Sequence, residues 1–190
     1  MRNPTVCRSI FDSPATELRR CPLRMAKTYG SLRSAISTMT PIQASIHIGN
    51  IVADIESKGY SQESPFTVGR IDPEMRQYAN EHRIEIASDE IVMSVKQITH
   101  TLRESKAQKG KGISPEHLAE FPIRRSGMEL YHDKTNNNFI YYDRERNEKF
   151  VVHPNYSMKI KRAKGKVVNY ITASRTNSQE FTLAKLTRIK

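Results

Sequence analysis

At 190 residues the chain is long enough for one full domain plus an extension or a second small one. Its 31 Lys and Arg against 20 Asp and Glu give a formal charge of +11, which makes a polyanion, either nucleic acid or an anionic membrane surface, the default partner. With 37% hydrophobic residues and only two cysteines, Cys7 and Cys21, it is neither collagen-like nor a disulfide scaffold. The two cysteines match no zinc spacing and read as reduced thiols of a cytoplasmic compartment. No apolar leader follows Met1, and the longest uncharged stretch, Ser34 to Ala53, is too polar to span a bilayer, so a soluble protein without a membrane partner is expected.

In chain order, the tail to about residue 24 carries Arg2, Arg8, Arg19, Arg20 and Arg24 and prolines at 4, 14 and 22, and reads as mobile or partner-dependent. Residues 28–60 carry a weak helical pattern in which Ile36, Ile42, Ile46, Ile48, Ile51, Val52 and Ile55 line one face of a helix after Pro41, which Ser57-Lys58-Gly59 ends. Ser61 to Pro65 reads as a linker. Residues 1–62 therefore form an extension, partly disordered or helical, and 63–190 the main domain. Asp72-Pro73 opens a helix to about His82, and Arg83 to Ala87 alternates as a strand. Ser88-Asp89 caps a helix to about Lys106, with Ile91, Val95, Ile98 and Leu102 at helical spacing; an alternative start is the Ser94/Gln97 capping box. Ser114-Pro115 opens a short helix that Phe121-Pro122 closes. Strands then follow at 129–132, 138–143, 150–153, 156–161 and 167–174, with a last one in 181–189. Turn signals separate them, among them Arg146-Asn147, Pro154-Asn155 and Lys164-Gly165. Helices before a run of hairpins predict an α+β fold: N-terminal helices packed on a four- to five-stranded antiparallel meander.

Residues 149–190 hold ten basic side chains against Glu180 alone. Lys159, Lys161, Arg162, Lys164, Lys166 and Arg175, interleaved with Tyr156 and Tyr170, suit a nucleic-acid strand, whose phosphates need cations and whose bases stack on rings. The same lysines also suit protection of edge strands. On the 91–106 helix, His100 falls opposite the apolar stripe with Lys96 and Arg103 beside it. Those cations lower its affinity for a proton and leave a neutral imidazole able to act as a base, with Arg103 able to clamp a phosphate; the plain alternative is a solvent-exposed histidine. Tyr170, Thr172 and Ser174 share one strand face, as phosphate-holding hydroxyls or as ordinary β-formers. Lys161 offers charge to a pentavalent phosphate. His153 is either a second acid or base or part of a turn. Asp143, Glu145 and Glu148 alternate with Arg144 and Arg146 as a surface turn would. Phosphate-loop, dinucleotide-fold, zinc-protease and serine-elbow motifs are all missing from the sequence.

Val68-Gly69-Arg70-Ile71, Ile84-Glu85-Ile86-Ala87-Ser88, the segment bearing His100 and Arg103, Phe121-Pro122, Phe139-Ile140-Tyr141-Tyr142-Asp143, Phe150-Val151-Val152 and Asn169-Tyr170-Ile171-Thr172-Ala173 follow one another over residues 66–174. Together they resemble the phage-associated nucleases of the barnase–EndoU–colicin–RelE (BECR) class. The resemblance implies a toxin or phage effector that cleaves RNA, tRNA being one candidate, without metal or other cofactor. Catalytic positions would fall on His100 and Thr172, with Arg103 following. Relatives often carry a second helical histidine, for which His117 is displaced. The expected chemistry is attack of a ribose 2′-hydroxyl on phosphorus, with His100 as base, Arg103 and Lys161 offsetting charge, Thr172 orienting an oxygen, and His153 or Tyr170 as acid. Lys96, Lys159, Arg162, Lys164, Lys166, Ser174 and Arg175 would hold the strand. A cognate inhibitor or phage head proteins would be partners, in the bacterial cytoplasm or on a virion. The rival reading is a non-catalytic basic virion protein that touches nucleic acid, a portal or a host protein.

Overall fold

The computed structural model describes residues 39–59, 61, 65–158 and 166–190, without the side chains of 166 and 167. The arginine-rich tail, Cys7, Cys21, Ile36, Lys159, Lys161, Arg162 and Lys164 lie outside the described residues.

Helix α1, Pro41–Lys58, is fixed at both ends by local chemistry. The Thr40 hydroxyl accepts from the Gln43 amide while the Gln43 side chain reaches back to Thr40, and Gly59 closes the helix in the left-handed region at φ 78. Its inward stripe is Ala44, Ile48, Ile51 and Val52; Ile42 and Ile46, expected on that stripe, face outward at 63% and 60% exposure. Ile48, Ile51 and Val52 enter one core with the sheet, and contacts group Ala35–Lys190 as one unit, so the helix belongs with the residues that follow it.

The chain then alternates through β1 (Phe66–Arg70), α2 (Pro73–Glu81), β2 (Glu90–Met93), α3 (Val95–Thr101), α4 (Glu104–Gln108) and α5 (Pro115–Arg124). The hairpins β3 (Glu129–Asp133), β4 (Asn138–Asp143), β5 (Glu148–Met158), β6 (Lys166–Arg175) and the short β7 (Leu186–Arg188) complete it. The fold is α+β, but the sheet is larger than expected and mixed. Seven strands run in the order β1-β2-β6-β5-β4-β3-β7, with β2 parallel to β6 and every other pair antiparallel. The expected four-stranded meander, β3 to β6, is its middle.

Five local expectations fail, the first three for tertiary reasons. The helix expected from residue 88 begins at Val95, because Glu90–Met93 pairs with β1 on one side and β6 on the other; Ser94 caps it, as the alternative start allowed. Residues 83–87 form no strand. Asn169, fully buried on β6, holds the end of this segment with its side chain: Oδ1 accepts from the Ala87 amide at 3.1 Å and Nδ2 donates to the carbonyls of Ser88 and Glu90, each at 2.8 Å. Pro154-Asn155 does not reverse the chain either, since β5 continues through it with a bulge. Helix α5 continues past Pro122 to Arg124, which pairs with Asp143 and Glu145. In place of a long last strand, the 3-10 turn Ser178–Thr182 precedes β7.

The helices cover one sheet face over Leu130, Phe139, Tyr141, Phe150, Val152, Ile171 and Ala173, with Phe121 stacked on Phe150 at 4.2 Å. Gly69 has a steric reason: a Cβ there would lie 2.7 Å from the Arg125 guanidinium, which reaches the Arg70 carbonyl and Asp72. Asp72, expected to cap α2, instead accepts from the Tyr141 hydroxyl at 2.8 Å. On the opposite face Tyr131, Ile140 and Tyr142 form a second, smaller cluster beneath Phe181 and Leu186. The C-terminal segment thus covers the β3–β4 end of that face.

Candidate functional site

Past the C-terminal cover, β5 and β6 carry the site. Phe150, Val152, Ile171 and Ala173 point into the core, so Val151, His153, Tyr170, Thr172 and Ser174 point the other way, as the period-two reading requires. Tyr156, three residues after His153, would fall on the wrong face of a regular strand. An extra residue in β5 between His153 and Tyr156 corrects this, with Asn155 in the left-handed conformation at φ 54. Tyr156 therefore joins His153 on the open face and stacks on Tyr170, ring centroids 4.8 Å apart and planes 21° from parallel. The turn chemistry of Pro154-Asn155 is real; it makes a bulge.

Two polar pairs sit side by side. His153 Nε2 lies 3.1 Å from Thr172 Oγ1. The Tyr170 hydroxyl lies 2.9 Å from Ser94 Oγ and 3.5 Å from Gln97 Oε1, and Gln97 Nε2 donates to Thr101 Oγ1. With Tyr170 donating to Gln97, Ser94 donates to Tyr170, and α3 fixes the phenol from its first turn. Beside this network Pro65, Ser94, Lys96, Tyr156, Ser157, Met158 and Tyr170 line a groove of about 380 Å³. Tyr156 keeps 45% of its surface exposed, and among the described residues only Tyr170 stacks on its ring.

Burial holds the His153 imidazole below its ordinary pKa, and burial raises that of the Tyr170 phenol. At neutral pH the site thus presents an uncharged imidazole able to accept a proton and a phenol that retains its own. A ring-proton NMR titration is expected to place the His153 midpoint below 6.5. Because the folded value lies below the unfolded one, this group's stability contribution is complete above about pH 6.5 and declines as pH falls from there toward the folded midpoint.

The other sequence candidates lie apart. His100 is exposed on α3 and makes no hydrogen bond among the described residues; Thr172 has His153 for a partner instead. Slight desolvation, then Lys106, Arg103 and Lys96, lower its pKa, the direction expected from its flanking cations. Arg103 is exposed at the break between α3 and α4. Ser174 pairs in register with Lys149, whose ammonium is bound to Glu180, and Arg175 ends β6. Lys166 pairs in register with Met158. The strongest charge signals fall outside the described residues: 1–38 contribute +5 and 159–165 contribute +4.

One pair escaped the sequence reading. Glu148 is 1% exposed and accepts from or donates to His117 Nδ1 at 2.8 Å, under the sheet rather than on it. Asp143 is likewise buried and accepts from the turn amides of Glu145 and Arg146, so of the three acids read as a surface turn only Glu145 is exposed. The strand alternation placing Glu148 in phase with Phe150 and Val152 was the available signal.

Among the described residues no cluster of three or more His, Cys, Asp or Glu is placed to hold a metal, and no helix is long and apolar enough to cross a membrane. No family model, curated protein or solved structure matches the chain.

Proposed function

We propose that the open face of β5 and β6 binds an RNA strand and that His153 cleaves it by activating a ribose 2′-hydroxyl. The observation that carries this reading is the adjacency, on a strand pair that no other described residues cover, of an imidazole bonded to a threonine hydroxyl and a stacked tyrosine pair whose Tyr156 is half-exposed. A base stacks on the free face of Tyr156, as in sequence-tolerant single-strand binding. The attached ribose then lies toward His153. Its 2′-hydroxyl replaces the Thr172 hydroxyl as the donor to Nε2, and His153 takes the proton as the oxygen attacks the adjacent phosphorus. Thr172, released, donates to a phosphoryl oxygen whose charge is growing. The leaving 5′-oxygen departs with a proton from Tyr170 or water. Relative to the resemblance stated above, the base moves from His100 to His153 while Thr172 and Tyr170 keep their roles.

The chemistry requires a 2′-hydroxyl, which separates the two polymers. Purified protein in excess EDTA is expected to cut tRNA or unstructured RNA, leaving 2′,3′-cyclic phosphate ends, and to leave DNA of the same sequence intact. Equal, salt-sensitive binding of both polymers with no cleavage of either would overturn the catalytic reading and favour a basic structural protein.

A further inference from the structure

We infer that the helical edge of the sheet beside the stacking groove is a phosphate-binding ridge, along which the backbone of an RNA strand runs once its base rests on Tyr156. This rests on the strand-binding reading above and adds where the rest of the strand lies. β2 registers with β6 only at Asn169 and Tyr170, so past Tyr170 that edge of β6 has no strand partner among the described residues. Helices α3 and α4 and the loop after them take its place. Lys106 Nζ donates to the Ala173 carbonyl at 3.5 Å, and the Arg175 amide donates to the Lys111 carbonyl at 3.1 Å. The ridge meets the groove at Lys96, which lines it together with Tyr156 and Tyr170.

Positive charge among the described residues is concentrated here. Residues 95–112 carry Lys96, Arg103, Lys106, Lys109 and Lys111 against Glu104 alone, a net +4, whereas all the other described residues sum to −1. None of the five makes an ion pair among the described residues. Glu104 accepts from the Gln108 side chain at 3.2 Å, and Glu56 of α1 borders the loop in a recess it lines with Ala107, Gly110, Gly112 and Arg175; neither carboxylate pairs with a ridge cation. Lys96, His100 and Arg103 follow one another at i, i+4 and i+7, a single stripe, and all three are exposed. Desolvation and then Lys106, Arg103 and Lys96 lower the His100 pKa; burial and then Lys111 lower that of Lys106. These groups are therefore near enough to disfavour one another's charge. A face that needed only solvation would intersperse acids, as the rest of this surface does, whereas a polyanion relieves a row of unneutralised cations.

From Tyr170 to Arg175 this edge is about 17 Å long at strand rise, room for about five nucleotides at the ~3.4 Å spacing of a stacked strand. Continuity with the Tyr156–Tyr170 platform selects a nucleic-acid strand over an acidic peptide, because only the former brings planar bases to the rings and phosphates to the row at once. The ridge holds and aligns the strand; cutting stays at His153.

The test uses 2′-O-methyl oligoribonucleotides, which cannot be cleaved, a dinucleotide and an octamer, labelled for fluorescence anisotropy against the full chain. The octamer is expected to bind more tightly. Arg103→Ala/Lys111→Ala is expected to weaken the octamer on the order of tenfold at about 0.1 M salt and to flatten its salt slope by about 1.4, leaving dinucleotide binding unchanged. Both side chains are exposed and Arg103 makes no side-chain cap, so the melting temperature should hold. Lys134→Ala/Lys185→Ala removes the same charge beside β7, at the other edge of the sheet, and is expected to leave the octamer's slope nearly as it was. Ring-proton NMR of the unaltered chain is expected to show the His100 midpoint rising when the octamer binds and not when the dinucleotide does. An octamer slope that survives Arg103→Ala/Lys111→Ala, equal losses in the two double variants, or a His100 midpoint that ignores the bound octamer would overturn the ridge and spare the strand-binding reading. Failure of both oligonucleotides to bind the unaltered chain would overturn both.

Discussion

Replacing His153 with alanine is expected to slow RNA cleavage by about two to four orders of magnitude, the range a positioned general base supplies. The side chain makes one hydrogen bond to a neighbouring strand and is only half-buried, so its loss leaves the core of Phe150, Val152 and Ile171 in place. The melting temperature should therefore move little, which separates lost chemistry from lost fold. Thr172→Val, which keeps the shape and removes the hydroxyl, should cost less than His153→Ala because it removes a donor rather than the base. His100→Ala provides the decisive contrast. That ring stands exposed on α3 with no hydrogen-bond partner among the described residues, and its removal should change the rate no more than a few-fold. A His100→Ala enzyme as inactive as His153→Ala would place the reaction on α3 and refute the site assigned to the sheet.

Asn169→Ala is expected to destabilise the fold by about 3 kcal/mol, read as a lower denaturant midpoint with an unchanged slope. Three partly buried hydrogen bonds end on this one buried amide: it accepts from Ala87 and donates to Ser88 and Glu90. Truncation removes the side-chain partner of the Ala87 amide and of the Ser88 carbonyl, and leaves the Glu90 carbonyl only the Ser88 hydroxyl at 3.3 Å. Asn169→Asp tests the same idea at constant size. Aspartate still accepts from Ala87 but turns an oxygen toward two carbonyl oxygens, so it should be at least as damaging. A loss below about 1 kcal/mol for both variants would show that the Ala87–Glu90 segment holds itself in place. The site has a stake in the result: β2, which this clip joins to β6, delivers Ser94 to the Tyr170 hydroxyl.

Local chemistry made part of this molecule readable from its residues. The hairpin strands β3 and β4 were legible because Asp133 to Asn137 forms a turn whose Asn137 adopts φ 53 and whose Asp133 caps the following amides, requirements met within five residues. The strand β2 was not legible, because it exists through partners far along the chain, β6 above all. Ile91 and Ile98 fit one helical stripe and are both buried, yet one comes from a strand and the other from a helix. Two periodicities can coincide over so short a run. The site shows the same division. His153 and Thr172 were each recognisable as chemically able residues, but their meeting depends on the β5–β6 register and on Val151, not His153, standing opposite Thr172. The diagonal contact lives in a pairing that no local window contains.

The extra residue in β5 gives the strand two phases, inward at Glu148, Phe150 and Val152 and shifted by one beyond His153. The left-handed backbone at Asn155 therefore decides which face Tyr156 takes, because the spacing from imidazole to phenol is odd. A glycine or an aspartate at position 155 would still adopt the left-handed conformation and keep the platform assembled, whereas regular pairing through the same number of residues would turn Tyr156 to the helical side and leave Tyr170 without a stacking mate.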